Sequence, residues 1–313
     1  YPGYNLFTFS LINGKEKIMK RIFIGLILLS QVFTVTGSGG EFIPDGRAVA
    51  MGRASVALPG VWSVFNNQAG FVWEQGWQVG LFDENRFLMK ELSFEALSLS
   101  WSGRPGAFGL ALSYQGFQLY NEFKAGIAYA RKFGKRFSTG VQLNYLKIQI
   151  AEGYGSRGVI SSEIGLMYKP DHSWTIGIQI CNPIPVKISE TPDERLPMVF
   201  RLGAGYNISG KVLILLEGEK DLEHPLVVKT GAEIHLARSV SARIGVLSDP
   251  FMVTGGFGLS LGRLAVDIAT GYHMTLGFSP AISVGYSFGK DFTTENTKEA
   301  RRTWRKRKGG SHD

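Results

Sequence analysis

The chain has 313 residues, 34 basic and 26 acidic side chains, and a formal charge of +8 that lies mainly at its two ends. Residues 1–40 hold four basic residues and one acidic residue, and residues 289–313 hold eight basic and four acidic residues. Residues 41–288 therefore contain 22 basic and 21 acidic residues. This near-neutral body argues against nucleic-acid binding. Because Cys181 is the single cysteine, an internal disulfide and a thiolate metal site are excluded, and we expect a small packed residue there.

The first forty residues contain a pattern typical of protein export. Met19-Lys20-Arg21 precedes the apolar run 22–29, and small residues follow at 37–40. A basic start, a short apolar stretch and small residues are the parts of a secretory signal peptide. We interpret residues 1–18 as upstream read-through and residues 19–39 as the signal peptide. The basic segment 289–313 is interpreted as a disordered tail or an artefact of gene assignment.

Residues 40–75 differ from everything that follows them. They are rich in small residues and half apolar, and they show no strand-like alternation. Such a segment must bury its apolar side chains, and we predict that it forms a hatch inside the barrel described next. Amide side chains in it are able to satisfy buried polar groups. The predicted hatch or gating residues are Met51, Gly52, Phe65, Asn66, Asn67 and Gln68.

From residue 76 to residue 288 one pattern recurs fourteen times. Each repeat has about ten residues that alternate between apolar and small or polar side chains, and a turn closes it; residues 281–288 are an example. Tilted strands of 9–11 residues are long enough to cross a bilayer. An even number of them behind an export signal predicts an all-β protein, a 14-stranded antiparallel transmembrane β-barrel with an N-terminal hatch, in a Gram-negative outer membrane. The predicted strands are 76–82, 92–101, 106–115, 122–132, 136–148, 159–169, 173–181, 198–207, 211–219, 226–236, 239–247, 251–261, 263–272 and 280–288.

The connections between these strands alternate between short and long. Short periplasmic turns and longer outer connections are expected for such a barrel. Aromatic residues near the strand ends predict two girdles at the membrane interfaces. One strand departs from the pattern, since its apolar register slips between Ala96 and Leu97, and we predict a bulge there.

The alternation also predicts which side chains face the interior. Charges of both signs fall on neighbouring strands, so cross-strand ion pairs can neutralise the lumen. Such a network either holds the barrel shut or lines a polar conduit. The predicted network contains Glu163, Arg201, Glu217, Lys229, Glu233, His235, Arg243 and Asp267, and the same face includes Glu122, Lys124, Gln142, Asn144, Gln179 and Glu219.

Residues 46–58 and 65–71 resemble the N-terminal signature of the PorV/PorQ group of Bacteroidetes outer-membrane proteins, which are relatives of the FadL-type transporters. Segments 201–206, 229–233, 242–245 and 264–269 look similar too, so that the resemblance covers about residues 44–288. This chain departs from the group at residues 66–70, where Asn-Gln stands in place of the usual Pro. The resemblance implies either an accessory role in type IX secretion or the uptake of hydrophobic molecules.

We expect a non-enzymatic barrel that serves transport or protein secretion, with a FadL-like channel for small hydrophobic compounds as the alternative. Secretion-system proteins or secreted cargo would dock on the acidic loop 182–197, whereas a hydrophobic ligand would need an apolar pocket near Met51, Val56, Leu58 and Phe65. Those four side chains also fit simple packing. None of the five histidines lies in a catalytic or metal-binding motif, so we expect no catalysis, no cofactor and no metal, and membrane lipid as a partner.

Overall fold

Fourteen antiparallel strands close into a barrel. They are β1 Gly76–Asn85, β2 Ser93–Gly103, β3 Gly106–Gly116, β4 Tyr120–Phe133, β5 Phe137–Ile150, β6 Gly155–Tyr168, β7 Trp174–Cys181, β10 Val199–Ile208, β11 Val212–Asp221, β12 Val227–His235, β13 Val240–Ser248, β14 Phe251–Leu261, β15 Leu264–His273 and β16 Gly277–Ser287. Each pairs with the next, and β1 pairs with β16 to close the wall. Between β7 and β10 the chain forms the separate hairpin of β8 (Lys187–Ser189) and β9 (Glu194–Arg195), which was not predicted.

This computed structural model describes residues 43–150, 155–184, 186–189, 194–221 and 224–289. The predicted read-through segment 1–18, the signal peptide 19–39 and the tail beyond residue 289 therefore lie outside the described residues. Part of the long connection 182–197 does so as well. Within the described ranges, no helix has the length and apolar character needed to cross a bilayer.

Side-chain alternation explains why these segments form the wall. On β5, for example, Gln142 faces inward and is 1% exposed, whereas its neighbour Leu143 faces outward and is 57% exposed. Because closure pairs every strand on both sides, no edge is left unsatisfied. The predicted all-β barrel of fourteen strands is confirmed. The strands β4, β5 and β6 are longer than predicted, with 14 residues each.

The predicted bulge between Ala96 and Leu97 is wrong. The pairing of β2 with β1 and with β3 runs without a shift through this region. The apolar pattern slips because Phe94 and Ala96 face inward, where they pack against other buried apolar groups. The interior is therefore apolar at this position, and the inward and outward faces look alike in the sequence.

The outer face of the wall is apolar. Leucine and isoleucine side chains on it are widely exposed, Ile127 at 66% and Ile160 at 69% among them. A closed wall with such an exterior is a membrane-spanning surface, as the predicted outer-membrane location requires. Aromatic rings near the short turns form contacts along the wall, including Trp101 with Phe108 and Trp174 with Tyr206. On β11–β15 aliphatic residues, such as Leu236 and Leu261, take the corresponding places.

The hatch lies inside the barrel. All but three of residues 43–72 are buried. Its regular parts are the helices Gly46–Val49 and Ser63–Asn66 and the 3₁₀ turn Phe71–Trp73. Two further 3₁₀ turns, Arg86–Leu88 and Lys90–Leu92, form the connection from β1 to β2. The hatch contacts most strands, so it divides the lumen.

Candidate functional site

The hatch enters the lumen beside β15 and turns sharply near its middle. The Asp45 side chain accepts a hydrogen bond from the Arg47 backbone N–H at 2.9 Å and caps the first helix. Gly52 and Arg53 then both adopt positive φ angles, +67° and +61°. The Gly52 N–H donates to Thr254 Oγ1 at 2.8 Å, which ties the turn to β14. This turn sends the Arg53 side chain towards β1.

Inward-facing glycines let the hatch backbone approach the wall. A Cβ atom added at Gly177 would lie 2.0 Å from the Val56 carbonyl oxygen, and one added at Gly245 would lie 2.0 Å from the Gly52 nitrogen. No other residue fits such a contact without displacement. The high glycine content of the sequence thus has a structural use where hatch and wall meet.

A first ionic cluster joins the hatch to β12, β13 and β15. Arg47 forms a two-pronged interaction with Glu233, at 2.8 Å and 2.7 Å. Arg243 bridges the same Glu233 and Asp267, at 2.6 Å to each. His235 lies 3.5 Å from Glu233 and 2.8 Å from the hydroxyl of Ser241. Glu233, 1% exposed, is therefore the centre that holds the start of the hatch.

A second cluster lies on β10, β11 and β12. Arg201 pairs with Glu219 at 2.7 Å, and Lys229 pairs with Glu217 at 3.3 Å and also contacts Glu219. One oxygen of Glu217 accepts hydrogen bonds from two hatch N–H groups, those of Ser55 and Val56, at 2.6 Å and 2.8 Å. The carboxylate thus satisfies hatch backbone groups that would otherwise be buried without partners.

A third cluster surrounds Glu163 on β6. Gln68 of the hatch donates to one of its oxygens at 2.6 Å, and Lys124 pairs with the other at 2.7 Å. The neighbouring Asn67 donates to the carbonyl oxygens of Val56 and Leu166, at 2.7 Å and 3.1 Å. The predicted hatch amides therefore fasten the hatch both to itself and to the wall.

A fourth group lies towards the long connections. Arg53 of the hatch is hydrogen-bonded to Glu84 of β1, and Arg86 lies 3.8 Å from the same carboxylate. Burial, together with the nearby Arg53, lowers the pKa of Arg86 to about 10. One nitrogen of Arg53 and one oxygen of Glu84 are buried without a hydrogen-bond partner in this part of the structure. This group is held less completely than the other three.

Another contact between hatch and wall is mainly apolar, and we call it the apolar seam. Trp62 of the hatch contacts the ring of Phe82 on β1, which in turn contacts the ring of Phe94 on β2. On the wall side most of its members are alanines of β2, β3, β4, β15 and β16. The seam consists of Val49, Ala50, Val61, Trp62, Val64, Phe65, Phe71 and Val72 of the hatch and Phe82, Phe94, Ala96, Ala107, Ala111, Ala128, Ala130, Ala269 and Ala281 of the wall.

Two cavities flank these contacts. A cavity of about 780 Å³ lies between the hatch and the short turns, and its lining includes Trp73, Lys135 and Glu233. An apolar groove of about 410 Å³ runs over the neighbouring strands β16, β1, β2, β3 and β4. Its lining includes Leu81, Leu97 and Ile282. The groove backs on the part of the wall that carries the seam.

The structure brings the predicted network residues together on the inner wall, where all eight face inward. Gln179 of β7 joins the second and third clusters, because it accepts a hydrogen bond from Arg201 and donates one to Glu163, each at 3.0 Å. Met51 packs in a small apolar cluster with Leu58 and Leu215, and Phe65 lies in the seam. Asn66 ends the second helix and is 2% exposed.

Sequence reasoning missed Arg47 and Arg53 of the hatch and Glu84 of β1. A signal for Arg47 was present. The predicted inner face held six carboxylates, Glu122, Glu163, Glu217, Glu219, Glu233 and Asp267, but four cations, Lys124, Arg201, Lys229 and Arg243. That excess favours a cation from elsewhere, and Arg47 of the hatch supplies one to Glu233, whereas Arg53 pairs with Glu84, which is not among the six.

Comparison with known proteins gives matches in structure. No family model matches the sequence, and the search of curated proteins gives no match. Among solved structures, the CymD monoaromatic hydrocarbon channel has 14% identity, covers 78% of this chain and 97% of its own, and has a TM-score of 0.63. The toluene transporter TbuX of Ralstonia pickettii has 11% identity, coverage of 81% and 100%, and a TM-score of 0.62.

A FadL homologue of Pseudomonas aeruginosa has 11% identity, coverage of 79% and 99%, and a TM-score of 0.60. These matches span nearly the whole of the channels concerned. Identities this low establish the fold and leave the function to be argued from the site. The chain has the fold of the FadL-type outer-membrane channels.

Proposed function

We propose that the protein is a non-enzymatic outer-membrane channel for small hydrophobic compounds. The observation that carries this proposal is the apolar seam. It provides one continuous apolar contact between hatch and wall, whereas Glu163, Glu217 and Glu233 bind the hatch on β6, β11 and β12. A compound that moves along the seam exchanges one apolar neighbour for another and loses little solvation free energy.

Small side chains make the seam suitable for passage. Ala107, Ala111 and Ala130 are each 0% exposed beneath the hatch. Alanine has no χ1 rotamers to reorganise. Parting the seam would break neutral hydrogen bonds only, such as those that the Ser98 and Ser102 hydroxyls donate to hatch carbonyl oxygens at 2.7 Å and 3.3 Å. The ionic side would lose several buried charge contacts in the same movement, which is far more costly.

The apolar groove also supports the passage of hydrophobic compounds. Its lining on β16 and β1–β4 includes outward-facing Leu81 and Leu97 and also the seam residues Phe82 and Ala96. A hydrophobic compound would find apolar surface both within the lumen and at the lipid boundary. Two of the structures with a similar fold are a monoaromatic hydrocarbon channel and a toluene transporter, whose cargo is of this kind.

The proposal excludes catalysis at His235. Ser241, His235 and Glu233 lie in a row that resembles a nucleophile, a base and an orienting carboxylate. However, Glu233 is 3.5 Å from His235 and is engaged by Arg47 and Arg243 at shorter distances. A base needs a closer orienting hydrogen bond, so the row is better explained as a cross-strand contact between His235 and Ser241, which are direct neighbours in the sheet.

The role in protein secretion, and membership of the PorV/PorQ group, remain predictions. Among known structures the matches favour the hydrocarbon-channel alternative. The loop that was expected to dock secretion partners or cargo lies partly outside the described residues. Within it, β8 and β9 form a two-stranded hairpin.

Uptake into liposomes tests the channel. We expect the purified barrel to accelerate the entry of toluene or a fluorescent fatty acid but not of glucose. Ala111→Leu adds volume to the seam and should slow this entry, whereas the control Ala232→Leu adds the same volume to the outward face of β12 and should not. No acceleration by the wild-type barrel, or equal slowing by both variants, would reject the proposal.

A further inference from the structure

The end of the barrel that carries the short turns is strongly basic. All six short turns are described, and each contains a lysine or an arginine, while Asp171 is the one carboxylate among them. The connections at the opposite end carry both signs, with Arg86 and Lys90 but also Glu91 and Asp249. The charge is therefore asymmetric across the membrane. The basic residues in the short turns are Arg104, Lys135, Arg136, Lys169, Lys211, Arg238 and Arg263.

The positive charge is densest beside β2–β5. Arg104, Arg131, Lys135 and Arg136, which we call the rim patch, are all exposed. Within the described residues none of the four forms an ion pair with a carboxylate. Asp171 lies near Arg136, and its pKa is lowered mainly by hydrogen bonds from the Trp174 and Ser173 backbones, with a smaller effect of Arg136. The patch thus presents cations that the protein leaves uncompensated.

An aromatic belt lies directly beside the rim patch. Ring centroids follow one another along the wall from Trp77 to Trp101, Phe108 and Tyr129, at 6.4 Å, 6.2 Å and 5.2 Å. Arg131 follows Tyr129 by two positions on β4 and shares its outward face. Aromatic belts mark the level of the lipid headgroups, so cations just beyond them lie at the depth of the phosphates.

The belt also fixes the turn that carries Arg104. The Tyr129 hydroxyl donates a hydrogen bond to the carbonyl oxygen of Pro105 at 2.9 Å. Arg104 is therefore attached to a turn that is anchored to the neighbouring strand. A preorganised cation loses less conformational freedom when it binds a ligand.

We propose that the rim patch binds the headgroup of an anionic phospholipid in the leaflet that faces the short turns. The aromatic belt holds the glycerol and upper acyl region of the lipid, and the arginines and lysine hold its phosphate. This site is separate from the hatch and the seam, and it stands whether or not the barrel transports hydrophobic compounds.

Lipid is favoured over an acidic protein because of where the cations point. Arg131 lies on the outward face of the wall, continuous with the surface that contacts acyl chains. A protein docked over the mouth of the barrel would instead meet Lys132 and Lys169, which both stack on the ring of Trp73. Those residues line the cavity, as Lys135 and Arg136 also do, whereas Arg104 and Arg131 lie outside its lining, and Arg131 faces the lipid boundary.

The chain offers a matched control on the opposite side. Lys211 and Arg238 lie in short turns and are exposed, like Arg136, and Arg131 is an exposed residue near the same end of β4. Beside Arg238 the wall carries Leu236, and Tyr206 beside the turn of Lys211 pairs with Trp174 and is not part of the belt. Substituting either pair removes two positive charges from the same end of the barrel. The pairs differ because Arg131 and Arg136 lie beside the aromatic belt and Lys211 and Arg238 do not.

Quenching of tryptophan fluorescence by brominated lipids tests the proposal in the purified, reconstituted barrel. The double variant R131Q/R136Q should reduce the preference for phosphatidylglycerol over phosphatidylcholine by roughly fivefold for each lost charge, and K211Q/R238Q should change it less than about twofold. Salt at about 0.5 M should weaken the preference of the wild type.

Three results would overturn it: no preference for phosphatidylglycerol in the wild type, equal loss in both double variants, or a preference that salt does not change. A polyglutamate peptide provides the remaining arm. If that peptide binds through Arg131 and Arg136 while the lipids show no preference, the patch is a protein-docking surface and the lipid site is rejected.

Discussion

The two sides of the inner wall hold the same hatch by different forces. On β6 and β10–β15 the wall presents charged side chains, and Glu163, Glu217 and Glu233 each bind hatch groups directly. On β16 and β1–β4, at the level of the hatch, the wall presents alanine, serine and glycine, with Phe82 and Phe94. The charged residues of that side, such as Glu84 and Lys124, lie towards the long connections.

This difference separates attachment from passage. Hydrogen bonds and ion pairs depend on direction and distance, so the charged side fixes one position of the hatch. Apolar contacts have no direction, so the small-residue side can slide or part at lower free-energy cost. Substitutions on the two sides should therefore have different effects, and a common reporter of hatch release makes the comparison possible. In that reporter Cys181 is replaced by serine and the buried Ala54 by cysteine, whose labelling by a maleimide measures release.

The largest effect is expected at Glu233 on the charged side. Glu233→Gln removes the charge that both Arg47 and Arg243 contact, and Arg47 keeps no other carboxylate at comparable distance among the described residues. Leaving a buried charge without its partner costs about 3–5 kcal/mol, so labelling at position 54 should accelerate by more than a hundredfold. The control Glu95→Gln changes an exposed carboxylate on the outward face of β2 and should leave the rate as it was. Equal rates in both variants would contradict the anchoring role.

The comparison of the charged side with the small-residue side also explains which parts of this site the sequence predicts. Strand positions follow from alternation, because a bilayer outside and a crowded lumen inside demand opposite side chains, as Gln142 and Leu143 show. Where the interior is apolar, that contrast vanishes, and the error at Ala96 results. The inward face of Glu233 was predictable, but its partner Arg47 is 186 residues away and is set by the path of the hatch. Alternation carries no information about that path.

A smaller effect is expected at Gln68. Gln68→Leu keeps most of the side-chain volume but removes the 2.6 Å hydrogen bond to Glu163, which retains Lys124 and Asn144 as partners. A hydrogen bond to a charged group contributes about 1.5–3 kcal/mol. Labelling at position 54 should therefore accelerate less than in Glu233→Gln. A larger acceleration than that of Glu233→Gln would reverse the ranking of the clusters.

Gly177 tests the close approach of the hatch without touching any charge. Gly177→Ala places a Cβ atom 2.0 Å from the Val56 carbonyl oxygen and must displace the hatch, at a cost of about 1–3 kcal/mol. Gly255→Ala is the control, because the nearest atom to its Cβ would be the Arg243 carbonyl oxygen at an ordinary 3.5 Å. We expect labelling at position 54 to be faster in Gly177→Ala than in the unsubstituted reporter and to be unchanged in Gly255→Ala. If both alanines are tolerated equally, the hatch is not seated as closely as the structure shows.

The smallest effect on hatch release, and the sharpest separation of the two sides, is expected at Ala111. Ala111→Ser adds a hydroxyl group to the seam at a cost of about 0.5–2 kcal/mol, the smallest of the four, so labelling at position 54 should accelerate least. A hydrophobic compound that crosses the seam must pass the same hydroxyl, so its entry into liposomes should slow by about twofold to thirtyfold. Ala125→Ser, on the outward face of β4, should alter neither rate. Slower entry together with the smallest gain in release assigns passage to the small-residue side, whereas faster release without slower entry would show that Ala111 attaches the hatch and that the compound travels elsewhere.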